Sequence, residues 1–130
     1  MTANFQLTKA ESKLAELLWR QAPIASGRLV ELAKAELGWH KSTTFTNLRM
    51  LIKKGLAKNE SATVRMLFTR EQFRGEQSAS FVDETFGGSL PLFLTAFSHS
   101  RQLSADQVQE IRRLIAEYVE DEQTGGFADD

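Results

Sequence analysis

Between Thr8 and Gly55 the chain packs three short amphipathic stretches, each closed by a Pro or a Gly, and an alternating stretch follows at once. Thr8-Lys9-Ala10-Glu11 has the S/T-x-x-E form of a reciprocal N-terminal cap. Leu7, Ala10, Leu14, Leu17 and Leu18 then recur at helical spacing, which predicts a helix over about 8–20 that stops before Pro23. Ser26 is expected to cap a second helix with Val30, Ala33 and Leu37 on one face, ended by Gly38 in a left-handed conformation. Thr44, Leu48, Leu51 and Ile52 give the third helix its apolar face, and Gly55 closes it. Leu56-Ala57-Lys58-Asn59, the polar patch Glu60-Ser61-Ala62-Thr63, and the alternation of Val64, Met66 and Phe68 with Arg65, Leu67 and Thr69 read as two short strands with a tight tip. Three helices and then a hairpin is the winged helix-turn-helix layout. In it the second helix of the close pair enters the major groove and the hairpin lies along the backbone.

The rest of the chain is helical in pattern. Residues 70–75 read as a connection, and Phe81, Val82, Thr85 and Phe86 mark a helix over about 78–86 that Gly87-Gly88 breaks or kinks. Ser89-Leu90-Pro91 can restart a helix, since Pro is tolerated in a first turn. Ser104-Ala105-Asp106-Gln107 opens the last one, with Val108, Ile111, Leu114, Ile115 and Tyr118 as its stripe. Residues 123–130 read as a frayed acidic tail. The expected fold class is therefore mainly α with a small β-hairpin wing. Residues 1–70 form a winged helix-turn-helix domain, and residues 71–130 form a helical dimerisation region. A pair of helices beyond a small core cannot bury two apolar stripes unaided. Phe81, Phe86, Leu90, Phe93, Phe97, Ile111, Leu114 and Tyr118 need a covering surface, either the first domain or a second copy, and an isologous helical dimer is the favoured cover.

Charge separates the same two parts. Residues 1–70 hold 12 Lys and Arg against five Glu and no Asp, while residues 71–130 hold four Arg against 12 acids. The net charge of −1 conceals this polarity, which suits a basic half that meets a polyanion. On the third helix, packing takes Thr44, Leu48 and Leu51 inward. Ser42, Thr43, Thr46, Asn47, Arg49, Met50 and Lys53 are left outward, a set of hydroxyls, an amide and cations suited to base edges and phosphates. A solvated helix face accounts for any one of them, but less well for the lack of any acid between Lys41 and Asn59. Thr43, Thr46 and Arg49 are the expected base readers. Lys41, Asn47, Lys53, Lys54, Lys58 and Arg65 are the expected backbone contacts.

At 130 residues the chain is too short for a (β/α)₈ barrel or a two-domain dinucleotide enzyme. Its lack of cysteine removes disulfides, thiolate zinc sites and Fe–S clusters, and fits a cytoplasmic protein. No apolar run nears the roughly 20 residues of a membrane span, and the first residues lack the parts of a signal peptide. His40, before the third helix, suits a cap or a phosphate contact, and His99 is expected to be exposed. With no metal-ligand spacing, phosphate loop or nucleophile elbow, neither a cofactor, a metal nor an enzymatic activity is expected.

Leu7-Thr8 with Glu11, Leu14, Leu17-Leu18-Trp19 and Pro23 resembles the opening of the penicillinase-repressor family, which includes methicillin-resistance and copper-responsive repressors. Gly38-Trp39, Thr43, Thr46, Leu51 and Lys53-Lys54-Gly55 are similar to its recognition-helix stretch, and Arg65 with Phe68 to its second wing strand. Phe86-Gly87-Gly88-Ser89-Leu90, Leu103-Ser104 and the stretch 111–114 resemble its dimerisation helices, so the likeness spans about 7–118. The resemblance implies a homodimeric cytoplasmic repressor on a dyad-symmetric operator, in several members that of a β-lactam-resistance operon. It also implies DNA contacts at Ser42, Thr43, Thr46 and Met50, with Met50 standing where an arginine is common. Some members are inactivated by a sensor-linked protease at an Asn–hydrophobic bond, which falls here between Ala96 and Phe97, with Ala96 in place of the Asn. The cysteine hook of the copper-responsive branch is absent. The alternative from another class is a helical protein-interaction adaptor whose basic half is incidental.

Overall fold

A computed structural model of the chain describes residues 4–125. Helix α1 (Lys9–Gln21) starts at the expected cap: the Thr8 hydroxyl accepts from the Glu11 N–H at 3.1 Å, and the Glu11 carboxylate accepts from the Thr8 N–H at 3.0 Å. Strand β1 (Ile24–Ala25) follows, which the sequence did not announce, and then α2 (Ser26–Leu37) and α3 (Lys41–Lys53). Strands β2 (Ala57–Glu60) and β3 (Thr63–Met66) form the hairpin. β3 lies in the middle of a three-stranded antiparallel sheet, with Ile24 opposite Val64 and Lys58 opposite Arg65. Among the described residues, six helices with one small sheet make the class mainly α with a β-hairpin wing.

Several expectations need correction. Ser26 is already inside α2, whose N-cap is Ala25, and no side chain caps that end. β1 supplies a substitute, since the Ser26 N–H donates to the Ala62 carbonyl at 2.8 Å. The buried face of α2 is Leu29 and Ala33, whereas Val30 and Leu37 are only partly buried. Ile52 is exposed and does not share the buried face of Thr44, Leu48 and Leu51. Gly38 meets its expectation: at φ 70° it lets the Ala33 and Lys34 carbonyls accept from the Trp39 and Gly38 N–H groups, and the chain turns at once toward α3.

Residues 70–75 are not a connection. They are the first turns of α4 (Arg70–Phe86), opened by a second reciprocal cap in which Thr69 and Gln72 exchange bonds at 3.0 and 2.9 Å. The Thr-x-x-Gln signal stands in the sequence at Thr69, and only the polar run after it hides the helix. Phe73 is buried against Trp19 and Phe5 at ring distances of 5.3 and 5.7 Å. Arg70 bonds Glu16 at 2.6 Å and lies over the Trp19 ring, whose indole N–H donates to the Phe68 carbonyl at 2.8 Å. The core joins Leu14, Leu17 and Leu18 of α1 to Leu29, Leu48, Leu51, Leu56 and Val64, all essentially inaccessible. Each such leucine contributes about 1.5–3 kcal/mol by leaving water.

The chain divides after Gly88 into two compact units. Gly87 and Gly88, at φ 58° and 82°, end α4. In the second unit, α5 (Leu90–Ser100) begins with the Ser89 hydroxyl accepting from the Leu92 N–H at 3.1 Å. Helix α6 (Ala105–Gly125) opens with the expected bonds between Ser104 and Gln107. The tail expected from 123 begins inside α6, and its last residues lie outside the described ones. None of this unit's residues whose exposure is described is buried. No helix described is long and apolar enough to cross a membrane.

Candidate nucleic-acid interface

Burial of Thr44, Leu48 and Leu51 fixes the rotation of α3 about its axis. At 100° per residue, the side opposite that face belongs to Ser42, Thr46, Arg49 and Lys53. All four are exposed, and Arg49 donates to the Thr46 hydroxyl at 3.3 Å. Thr43, Asn47 and Met50 are half-buried and flank the stripe on one side, with the Asn47 amide donating to the Thr43 carbonyl at 2.9 Å. Lys41 is exposed at the start of the helix, 5.9 Å from the centre of the Phe45 ring. His40 is the N-cap residue, but its side chain makes no cap bond.

The expected backbone contacts do not form one class. Lys53 and Arg65 are exposed. Lys58 lies opposite Arg65 on the wing, and its ammonium sits 2.6 Å from Glu60. The hydrogen bond from Lys58 holds the Glu60 carboxyl below its ordinary range. Lys54 stands apart. It is only 15% exposed, pairs with the buried Glu11 and donates to the Gln6 carbonyl at 2.8 Å. Burial pushes the Glu11 carboxyl up, but the Lys54 hydrogen bond and charge, with the Thr8 N–H, outweigh it and hold it below the usual value. Lys54 thus serves the fold and is engaged from inside. Nothing in its sequence context separates it from Lys53; the long-range partner Glu11 does.

Residues expected at a dimer contact are distributed over α4, α5 and α6. Phe81 is half exposed and Phe86 half-buried, their rings 5.9 Å apart. Phe93 and Phe97 pair at 6.1 Å on α5, where Leu90 is exposed. On α6, Ile111 is half-buried, while Leu114 and Tyr118 are 51% and 71% exposed. Ala96 and Phe97 lie inside α5, so a protease that binds extended backbone can reach their bond only after α5 unwinds locally. Among the described residues no group of three or more His, Asp and Glu side chains is placed to hold a metal ion.

Residues 7–117 match the family model described as the penicillinase repressor. The chain is also similar to the methicillin resistance regulatory protein MecI of Mammaliicoccus sciuri and to that of Staphylococcus aureus strain N315. Each is 19% identical over 116 residues, which cover 86% of this chain and 94% of the relative.

Proposed function

The chain belongs to the penicillinase repressor family, and from that premise we propose that it is a dimeric repressor that reads a dyad-symmetric operator with two copies of α3. The observation that carries this reading is the outward stripe of α3. Ser42, Thr46, Arg49 and Lys53 lie opposite a face locked into the core, so their aim is set before DNA arrives. Ser42, Thr43, Thr46, Arg49 and Met50 are the proposed base-side set. Lys41, Asn47, Lys53, Lys58 and Arg65 are the proposed phosphate partners, and Lys54 is left out because Glu11 and Gln6 occupy it. Residues 1–70 carry the reading and residues 71–130 the pairing of two chains. The exposed apolar side chains of α5 and α6, Leu90, Leu92, Leu114, Ile115 and Tyr118 among them, support the pairing, since water is a poor neighbour for so much apolar surface. The relatives' name supports an operon of the β-lactam-resistance type, and repression places the protein in the cytoplasm with its DNA.

Selection of duplexes from a random library by the full chain tests this reading. A dyad-symmetric sequence should be enriched, and sedimentation should find two chains on each selected duplex. Affinity should fall steeply as salt rises, because each neutralised phosphate releases counterions. No enrichment, with an apolar-driven and salt-insensitive association of the chain with itself alone, would favour a protein-interaction adaptor instead.

A further inference from the structure

The segment ahead of α1 is neither helix nor strand, yet it is bonded on both sides. On one side the Asn4 N–H donates to the Lys54 carbonyl at 2.8 Å, and the Lys54 ammonium returns a bond of 2.8 Å to the Gln6 carbonyl. Lys54 is the C-cap of α3. On the other side the Gln77 side-chain amide of α4 donates to the Phe5 carbonyl at 3.2 Å. The Phe5 ring stands edge-on to Phe68 at 5.1 Å and is tilted against Phe73 of α4 at 5.7 Å. Residues 4–6 therefore form a strap between the end of α3 and the flank of α4.

The mechanical consequence follows from where α4 is held. Its first turn is fixed by the Thr69 cap, by Arg70 on Glu16 and by Phe73 in the core. A helix held at one end can swing. Gln77 lies seven positions beyond Arg70, about 10 Å along the axis, and a second tie at that distance sets a direction. α4 has 17 residues and is about 25 Å long. A swing of about 15° at its base moves its far end by about 6–7 Å, or roughly two base-pair steps.

We propose that the strap of residues 4–6, bonded through Lys54 and Gln77, is a positioning element that sets which half-site spacing the paired heads accept. It fixes the direction in which α4 leaves the reading head relative to α3. This inference rests on the dimeric reading proposed above, and the experiment separates the two.

The chain has no cysteine, so Lys34→Cys with Glu76→Cys, diluted into an excess of unlabelled chain so that a dimer carries one labelled copy, gives a single pair of spin-label sites on exposed positions of α2 and α4. Pulsed electron resonance reads the distribution of distances between them. Two backgrounds weaken the strap: Gln77→Ala, a change at an exposed position, and removal of residues 1–5, which keeps the Thr8 cap. The distribution is expected to be narrow in the parent and broad in both backgrounds. On duplexes selected by the parent, affinity for a single half-site should stay within about twofold, since the α3 stripe is untouched. The preference for the selected spacing over one lengthened by two base pairs should fall about tenfold or more, because flexible tethering levels effective concentration across spacings. If the distribution stays narrow, or broadens while the spacing preference persists, the strap does not set spacing and the inference is overturned. If the parent selects no duplex, the dimeric reading itself fails and takes the inference with it, while the distance distribution still reports whether the strap holds α4.

Discussion

Ser61 and Ala62 form the hairpin tip with φ of 51° and 62°, a region that costs a residue bearing a Cβ about 1–2 kcal/mol. Two successive positive φ values match the type I′ turn, whose twist suits a two-residue hairpin and which favours Asn-Gly. The polar tip was legible in the sequence; its left-handed conformation was not, because Ser-Ala carries no signal for it. The bond from Ser26 to the Ala62 carbonyl helps to hold it. Replacing Ser61→Asn together with Ala62→Gly should therefore raise stability by about 1–2 kcal/mol in a denaturant titration, with the slope unchanged. No gain would mean that the tip stores no strain. Glu11 and Lys54 give the opposite case, a pair whose loss weakens the fold. Glu11 has its carboxyl held below the ordinary range, so its contribution is present above about pH 4.5 and is lost as pH falls through the depressed value. Glu11→Gln should cost about 1–3 kcal/mol at neutral pH, because the charged partner stays where it was without its countercharge. The gap between the two proteins should close at acid pH, and a constant gap from pH 7 to pH 3 would contradict the assignment.

At the scale of elements, the three helices and hairpin were readable because each apolar stripe is short and ends in a hard stop. Gly38 works as a stop only because it adopts φ 70°, and the close α2–α3 turn depends on it. What stayed hidden was non-local. β1 is two residues long and exists because β3 is beside it, and α4 begins in a stretch whose only deep apolar anchor is Phe73. The outward stripe of α3 was legible in part from packing, since a face that must be buried defines its opposite. Ser42, Thr46, Arg49 and Lys53 are exposed as expected, whereas Thr43, Asn47 and Met50, also expected outward, are half-buried at its flank. On the proposed reading, loss of Arg49 or Thr46 should cost about 1–3 kcal/mol at the selected operator and little on random duplex. Lys53→Ala and Arg65→Ala should weaken both alike and lower the salt slope by about one each. Glu60→Gln should act the other way, since it removes the anion that competes with phosphate for Lys58. Tighter binding to random duplex by fluorescence anisotropy is the expected result, and unchanged affinity would place the Lys58–Glu60 pair away from DNA.

For the whole molecule, the proposed division of labour between the halves rests on charge and on exposed apolar surface. The cut that tests it must respect α4. Ending the chain after Arg70 would strip Phe73 from Trp19 and Phe5, whereas ending it after Gly88 leaves the first unit intact. The 1–88 piece should sediment as a monomer and bind the full operator about 100-fold or more weakly than the whole chain, because it loses the tethered second head. The most direct test of paired reading is the affinity of the full chain for duplexes in which the distance between half-sites is stepped by single base pairs. Two heads joined by dyad symmetry must lie on one face of the helix, about one turn or a multiple of it apart. Insertion of about 5 bp turns one half-site to the opposite face. Affinity should then drop to that of a single half-site and recover in part with a full added turn. Equal affinity at every spacing would show that the heads bind independently, and the account of a dimer reading one operator would be wrong.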